Sequence, residues 1–198
     1  MKNDSGGTRV GTDGTLSRAL SPAKEEYWEY CAGILDKSAT GRRKDVLTML
    51  RQIAEFIAVL SCSLFTGAAF YITLVEHPVW MQSGGELAAT EFALTYRRAT
   101  AMQATCLAVS LLSSLAAWLA GATLWWLIAG VLLGLVITFT LIVLMPTNKR
   151  LLSRALDRSS AEAERLLARW GRLHTVRSVL GGLALFLFLY LAIFGNAI

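Results

Sequence analysis

The chain has 198 residues, the length of one compact domain, and 55% of them are apolar. Mean hydropathy is +0.50 and only 17% of residues are charged, against roughly 25% in a soluble domain; apolar surface on that scale excludes a small soluble globule and fits a bilayer. The net charge of +5 does not point to nucleic acid, because the basic residues lie in the tail and loops, where they meet lipid headgroups.

Residues 1–20, rich in Gly, Ser, Thr and Asp, read as disordered. Ser21 and Pro22 resemble a helix start, and a short helix over 23–36 would carry Tyr27, Trp28 and Tyr30. No charge falls within 56–75, 99–148 or 178–198. A span needs about 20 predominantly apolar residues, so the first and last gaps hold one span each and the middle gap holds two. The expected fold is all-α: a four-helix transmembrane bundle with short amphipathic loop helices. Its spans run over about 53–75, 99–119, 124–145 and 176–195. Residues 1–45 form an N-terminal extension, partly disordered, ahead of a transmembrane domain over 46–198. Pro78 and Pro146 are expected to end the first and third helices. Residues 79–100 read as a loop with a short helix near 86–96, and 149–175 as two amphipathic pieces broken near Arg158–Ser160. Small residues in the second helix (Ser110, Ser113, Ser114, Ala116, Ala117), with Gly130, Gly134, Gly181 and Gly182, allow close helix approach.

An even span count puts the first and third loops on one side of the membrane. His77 and His174, the two histidines, therefore share a side with Glu76, Arg97, Thr147, Asn148, Trp170 and Arg177. Nine basic loop residues favour the cytoplasm for that side, but the tail on the other side carries nine as well; the two signals oppose one another and orientation is not assigned.

On the fourth helix, Trp170, His174 and Arg177 recur at helical spacing and share one face, beside Gly171, which leaves room for a backbone or ligand, and Gly181. An aromatic plate, an imidazole and a guanidinium suit a flat polar aromatic or an anion; interface anchoring is the competing reading. His77 can serve as base, donor or metal ligand, with Glu76 orienting it or pairing with an arginine, or it can simply satisfy helix-end carbonyls. The Asn148 amide either repairs the helix end at Pro146 or reaches inward to a substrate oxygen. His77 and His174, with Glu76 as a third, are candidate metal ligands, which is few for a site. Cys31, Cys62 and Cys106 show no metal or redox spacing.

The run Gly67–Ile72 leading to Glu76-His77-Pro78, then Tyr96-Arg97-Arg98-Ala99 with Met102-Gln103, Pro146-Thr147-Asn148-Lys149, and Trp170 to Arg177 resembles, in the same order, the motifs of a four-span membrane family. That family was first described as a domain of unknown function and includes the fungal anthrone oxygenases of polyketide biosynthesis. The resemblance covers about 50–195 and implies an oxygenase acting on a hydrophobic anthrone-type aromatic in the lipid bilayer, with no cofactor strictly demanded. Matched position by position, it implies His77 or His174 as base, Arg177 and Asn148 as stabilisers of an enolate oxygen, and Trp170 as a stacking plate. Glu76, Arg97 and Thr147 complete the expected substrate site. A bacterial inner membrane is the expected location. The alternatives are a non-catalytic binder of a hydrophobic ligand or partner and a metal-dependent redox enzyme. A transporter reading would need a homo-oligomer, and assembly is left open.

Overall fold

In the computed structural model, residues 13–195 are described, and all their regular structure is helical. The disorder expected over 1–20 therefore lies outside the described residues for 1–12, while 13–20 are helical. Pro22 falls inside a helix that starts at Asp13, not at a helix start. The chain divides into two compact units, 1–46 and 47–198. In the first, Tyr27, Trp28 and Tyr30 are exposed on the helix. The second holds the site.

Helices α1 (Asp13–Tyr71), α2 (His77–Gln82), α3 (Gly85–Leu119), α4 (Leu124–Phe139), α5 (Met145–Leu151) and α6 (Ala161–Phe194) follow in order. They make four continuous stretches long and apolar enough to cross a membrane: Glu26–Gln82, Gly85–Leu119, Leu124–Leu151 and Ala161–Phe194. Their outward faces carry large apolar side chains, with Phe56, Leu74, Ile142 and Phe186 about two-thirds exposed. Such surface is unfavourable in water and at home against acyl chains. The protein is an integral membrane protein built as a four-helix bundle.

The reversals are short. Gly84 (φ 94°) precedes α3, and Gly121 (φ 99°) sits between α3 and α4; both occupy the left-handed region that favours glycine. Before α6, Asp157 accepts the Ser159 N–H and O–H, at 3.0 and 2.7 Å, which hold its carboxyl below the usual range. Ser160 caps α6 by accepting the Ala163 N–H at 3.3 Å.

Neither proline ends its helix, contrary to the expectation from sequence. A π-helical turn precedes each, Ile72–Glu76 before Pro78 and Thr140–Leu144 before Pro146. The His77 N–H bonds five residues back to Ile72, and the Met145 N–H likewise to Thr140. Proline lacks an N–H, and its ring clashes with the carbonyl four residues earlier. The wide turn moves that carbonyl aside, and the helix continues for another one or two turns. Those added turns carry His77, Trp80 and Asn148. The segment 79–100, expected as a loop with a short helix near 86–96, is helical over 86–96 as expected. The rest is helix too, as the end of α2 and the first turns of α3, apart from a two-residue break at Ser83–Gly84.

Two apolar clusters fill the bundle. One centres on Phe65, Leu107, Trp126, Leu133 and Phe188, the other on Ile72, Phe92, Leu144, Leu167 and Trp170. Close approaches come where the small residues stand. Ser110 donates to the Ala58 carbonyl at 2.7 Å. A Cβ on Gly181 would lie 2.7 Å from Phe65, and one on Gly182 3.2 Å from Phe70. A Cβ on Gly130 would overlap the Ser114 hydroxyl, whereas one on Gly134 meets nothing within 4 Å. Gly130→Leu is accordingly expected to destabilise the bundle by about 1–3 kcal/mol through overpacking, and Gly134→Leu far less. Thermal midpoints in one detergent compare the two.

Candidate functional site

A cavity of about 350 Å³ lies between the two apolar clusters, with Leu107 from one and Ile72, Phe92, Leu144 and Trp170 from the other in its wall. That volume is within the ~300–1,000 Å³ of small-molecule sites, which are also mostly apolar with a few convergent polar groups. Four of its lining residues, Thr100, Ala104 and Ala108 of α3 and Leu141 of the second π turn, are exposed on the outside of the bundle. The cavity therefore opens sideways between the second and third spans, on a face that meets lipid.

Its polar wall comes from α6. Trp170, His174 and Arg177 all line it, as their spacing on one helical face requires. The Trp170 and His174 rings stack with centroids 4.6 Å apart and planes 29° apart. Arg177 donates from Nη1 to His174 Nε2 at 3.2 Å. A guanidinium can only donate, so Nε2 accepts and the ring proton sits on Nδ1. There Thr73 Oγ1 receives it at 3.0 Å, passing its own proton to the Ala69 carbonyl at 2.9 Å. Ser178 lies against the same hydroxyl at 2.9 Å. His174 is only 2% exposed, and its partners fix it as a neutral imidazole whose basic nitrogen is Nε2, on the cavity side.

His77 stands differently. It does not line the cavity. Its Nε2–H donates to the Leu167 carbonyl at 3.1 Å, and its ring lies directly over Gly171, where any Cβ would overlap it. The room expected at Gly171 for a ligand is thus taken by His77, and the room at Gly181 by Phe65. Trp170, expected as a free stacking plate, is already packed: besides His174, it contacts Phe92 at 5.2 Å, His77 at 5.9 Å and Trp80 at 6.3 Å between centroids.

Asn148 lines the cavity, and its Nδ2 donates to the Tyr96 hydroxyl at 3.1 Å, leaving Oδ1 buried without a partner. In the reversed amide orientation Tyr96 donates to Oδ1 and the free position becomes a donor. The Trp170 Nε1–H and the Arg177 Nε–H are likewise buried and unpartnered. Glu76 lines the cavity and is half-buried. Of the remaining residues expected at the site, Thr147 is buried outside the cavity lining and Arg97 is exposed. Among the described residues, no three His, Cys, Asp or Glu side chains come together to hold a metal ion. The candidate pair, His77 and His174, each commits a ring nitrogen to Leu167 or Arg177.

Sequence reasoning did not single out Thr73 or Ser178. Ser178 follows His174 by four, a spacing that puts it on the same face. Thr73 comes from another span, inside the first π turn, and only the fold brings it there. Gln103, quoted only as part of a motif, is 3% exposed and faces the cavity.

No curated protein matches the chain, and no solved structure matches it. Residues 92–187 match the family model described as anthrone oxygenase, a stretch that contains Phe92, Tyr96, Gln103, Asn148, Trp170, His174 and Arg177 and ends short of Glu76 and His77 on the N-terminal side. That match, together with the four apolar spans, supports an anthrone oxygenase-like family assignment for the stretch it covers.

Proposed function

We propose that the protein is a membrane oxygenase, acting in a bacterial inner membrane on a lipid-soluble aromatic of the anthrone type, with His174 as the base. The observation that carries this reading is the His174 Nε2 lone pair, held towards an apolar, lipid-open cavity beside the Arg177 guanidinium. A tricyclic ketone with an acidic methylene enters between the second and third spans. His174 Nε2 takes one methylene proton. As the nitrogen becomes protonated, the Arg177 N–H leaves it for the enolate oxygen that forms, a fixed donor aimed at developing charge in a low-dielectric site. The electron-rich carbon then reduces molecular oxygen, giving a hydroperoxide at that carbon. Loss of water from the hydroperoxide leaves a carbonyl. One CH₂ and one O₂ become one C=O and one H₂O, so the four electrons the carbon loses are those the dioxygen gains.

Oxygen consumption by the purified full chain with anthrone tests this directly. The expected result is one O₂ consumed and one anthraquinone formed per anthrone, above the rate in protein-free detergent. A rate equal to that blank, with the protein folded, would leave a ligand-binding membrane protein as the better account.

A further inference from the structure

The least expected group in the bundle is Arg177. It is 8% exposed inside a membrane-spanning segment, and among the described residues it has no carboxylate within 4 Å; the ion pair found there joins Arg51 and Glu55. Its company is His174 through one N–H, and the Phe65 ring, 4.8 Å below the guanidinium carbon. Its Nε–H meets no acceptor. A buried charge without a partner is strongly unfavourable, and intramembrane cations usually mark a pathway or a ligand's counter-charge. Two further polar atoms are buried and unpartnered along the same wall, the Trp170 Nε1–H and the Asn148 Oδ1. Glu76, half-buried in the lining, makes no ion pair with the guanidinium. The rest of the cavity is apolar and opens towards lipid through Ala104 and Ala108.

We infer that this cavity takes its ligand as an anion: an acidic lipophilic aromatic, bound through an ionised oxygen against Arg177 and the Trp170 indole N–H, with its rings in the apolar part. The ligand supplies the counter-charge that no described carboxylate gives. The inference deepens the oxygenase reading by naming the ionisation state and class of its substrate, and it rests on that reading only for the chemistry that follows binding. A cavity that opens to lipid does not admit a hydrated inorganic anion readily, whereas an aromatic acid crosses the apolar mouth in its neutral form and gives its proton to His174 Nε2, leaving the ionised oxygen to the guanidinium.

The test compares two ligands with one ring system, 9-anthracenecarboxylate and 9-anthracenemethanol. Both are titrated by fluorescence into the full chain in phosphatidylcholine nanodiscs, and partition into empty nanodiscs is subtracted. The carboxylate is expected to bind at least about tenfold more tightly than the alcohol, as a charge-assisted contact implies. Arg177→Met is expected to remove that preference, the carboxylate losing at least about tenfold more affinity than the alcohol, since the charge-assisted contact is available only to the anion. Trp170→Phe keeps a ring and loses the N–H, and is expected to reduce the preference several-fold. Equal binding of the two ligands to the unmodified protein would overturn the inference without recourse to any variant. So would a preference that survives Arg177→Met. Replacing part of the phosphatidylcholine by phosphatidylglycerol separates a lipid phosphate from an aromatic acid: saturable loss of carboxylate binding with that lipid would assign the site to the headgroup and overturn the inference. Anion preference without oxygen uptake on anthrone would sink the oxygenase reading alone. Oxygen uptake without anion preference would sink this inference alone.

Discussion

His174→Gln is expected to lower anthrone-dependent oxygen uptake by about 10²–10⁴-fold, the usual contribution of a positioned base. Glutamine reaches as far as Nε2 and can still accept from Arg177, so the wall keeps a hydrogen-bonding group, but an amide cannot hold the proton. The thermal midpoint should therefore move much less than the rate. His77→Gln is the control on the choice between the two histidines. The His77 ring is outside the cavity lining and its Nε2–H is spent on the Leu167 carbonyl, a donor that a glutamine amide can replace. Its expected loss is under about tenfold, that of a perturbed hydrogen bond. The opposite ranking, with His77→Gln inactive and His174→Gln active, would move the base to His77 and require the bundle to open at Gly171. Equal loss in both, with both proteins folded, would mean that the stack around Trp170 acts as a unit.

The reason these two histidines can be separated at all is a matter of register that the sequence carries only in part. The periodic signal is local. Trp170, His174 and Arg177 recur at three and four residues, so their common face follows from helix geometry, and the four uncharged stretches follow from bilayer thickness. What lay beyond reach depends on single-residue insertions. A π turn adds one residue to a turn without altering the hydrophobic pattern on either side, so nothing in Ile72–Glu76 or Thr140–Leu144 announces it. A proline read by itself means the end of a helix. The two π turns reverse that meaning at Pro78 and Pro146, and they place His77 and Asn148 on turns that a stopped helix would not have. Thr73 belongs to the same class: it touches His174 because two spans pack at that level. The side chains that occupy Gly171 and Gly181 were hidden for a related reason. A glycine in a sequence marks room, but only packing says whether a ligand, His77 or Phe65 takes it.

Gly171→Ala puts that distinction to use and is expected to affect both the bundle and the site. The added Cβ would overlap His77 Cε1 and Nε2 and lie 2.9 Å from Nδ1. The ring has little freedom to withdraw, being tied to the Leu167 carbonyl at 3.1 Å and set against Trp170. Either the hydrogen bond breaks or α6 shifts, and overpacking of this kind costs about 1–3 kcal/mol. A shift of α6 would also move Trp170 and His174, so turnover should fall along with stability. The source of the strain can be isolated by a second substitution. If the alanine methyl collides with the imidazole, removing the imidazole relieves the collision, and the Gly171→Ala/His77→Ala double variant should be less destabilised than the sum of the two single variants. Contacting residues commonly show couplings of about 0.5–3 kcal/mol, which equilibrium unfolding or thermal midpoints in one detergent can resolve. Simple additivity would mean that His77 does not occupy the space above Gly171 in solution. That space would then be free for a ligand, and the second wall of the site would have to be sought there. Positive coupling keeps His77 as the clamp that fixes Trp170, and through it the imidazole on the cavity side.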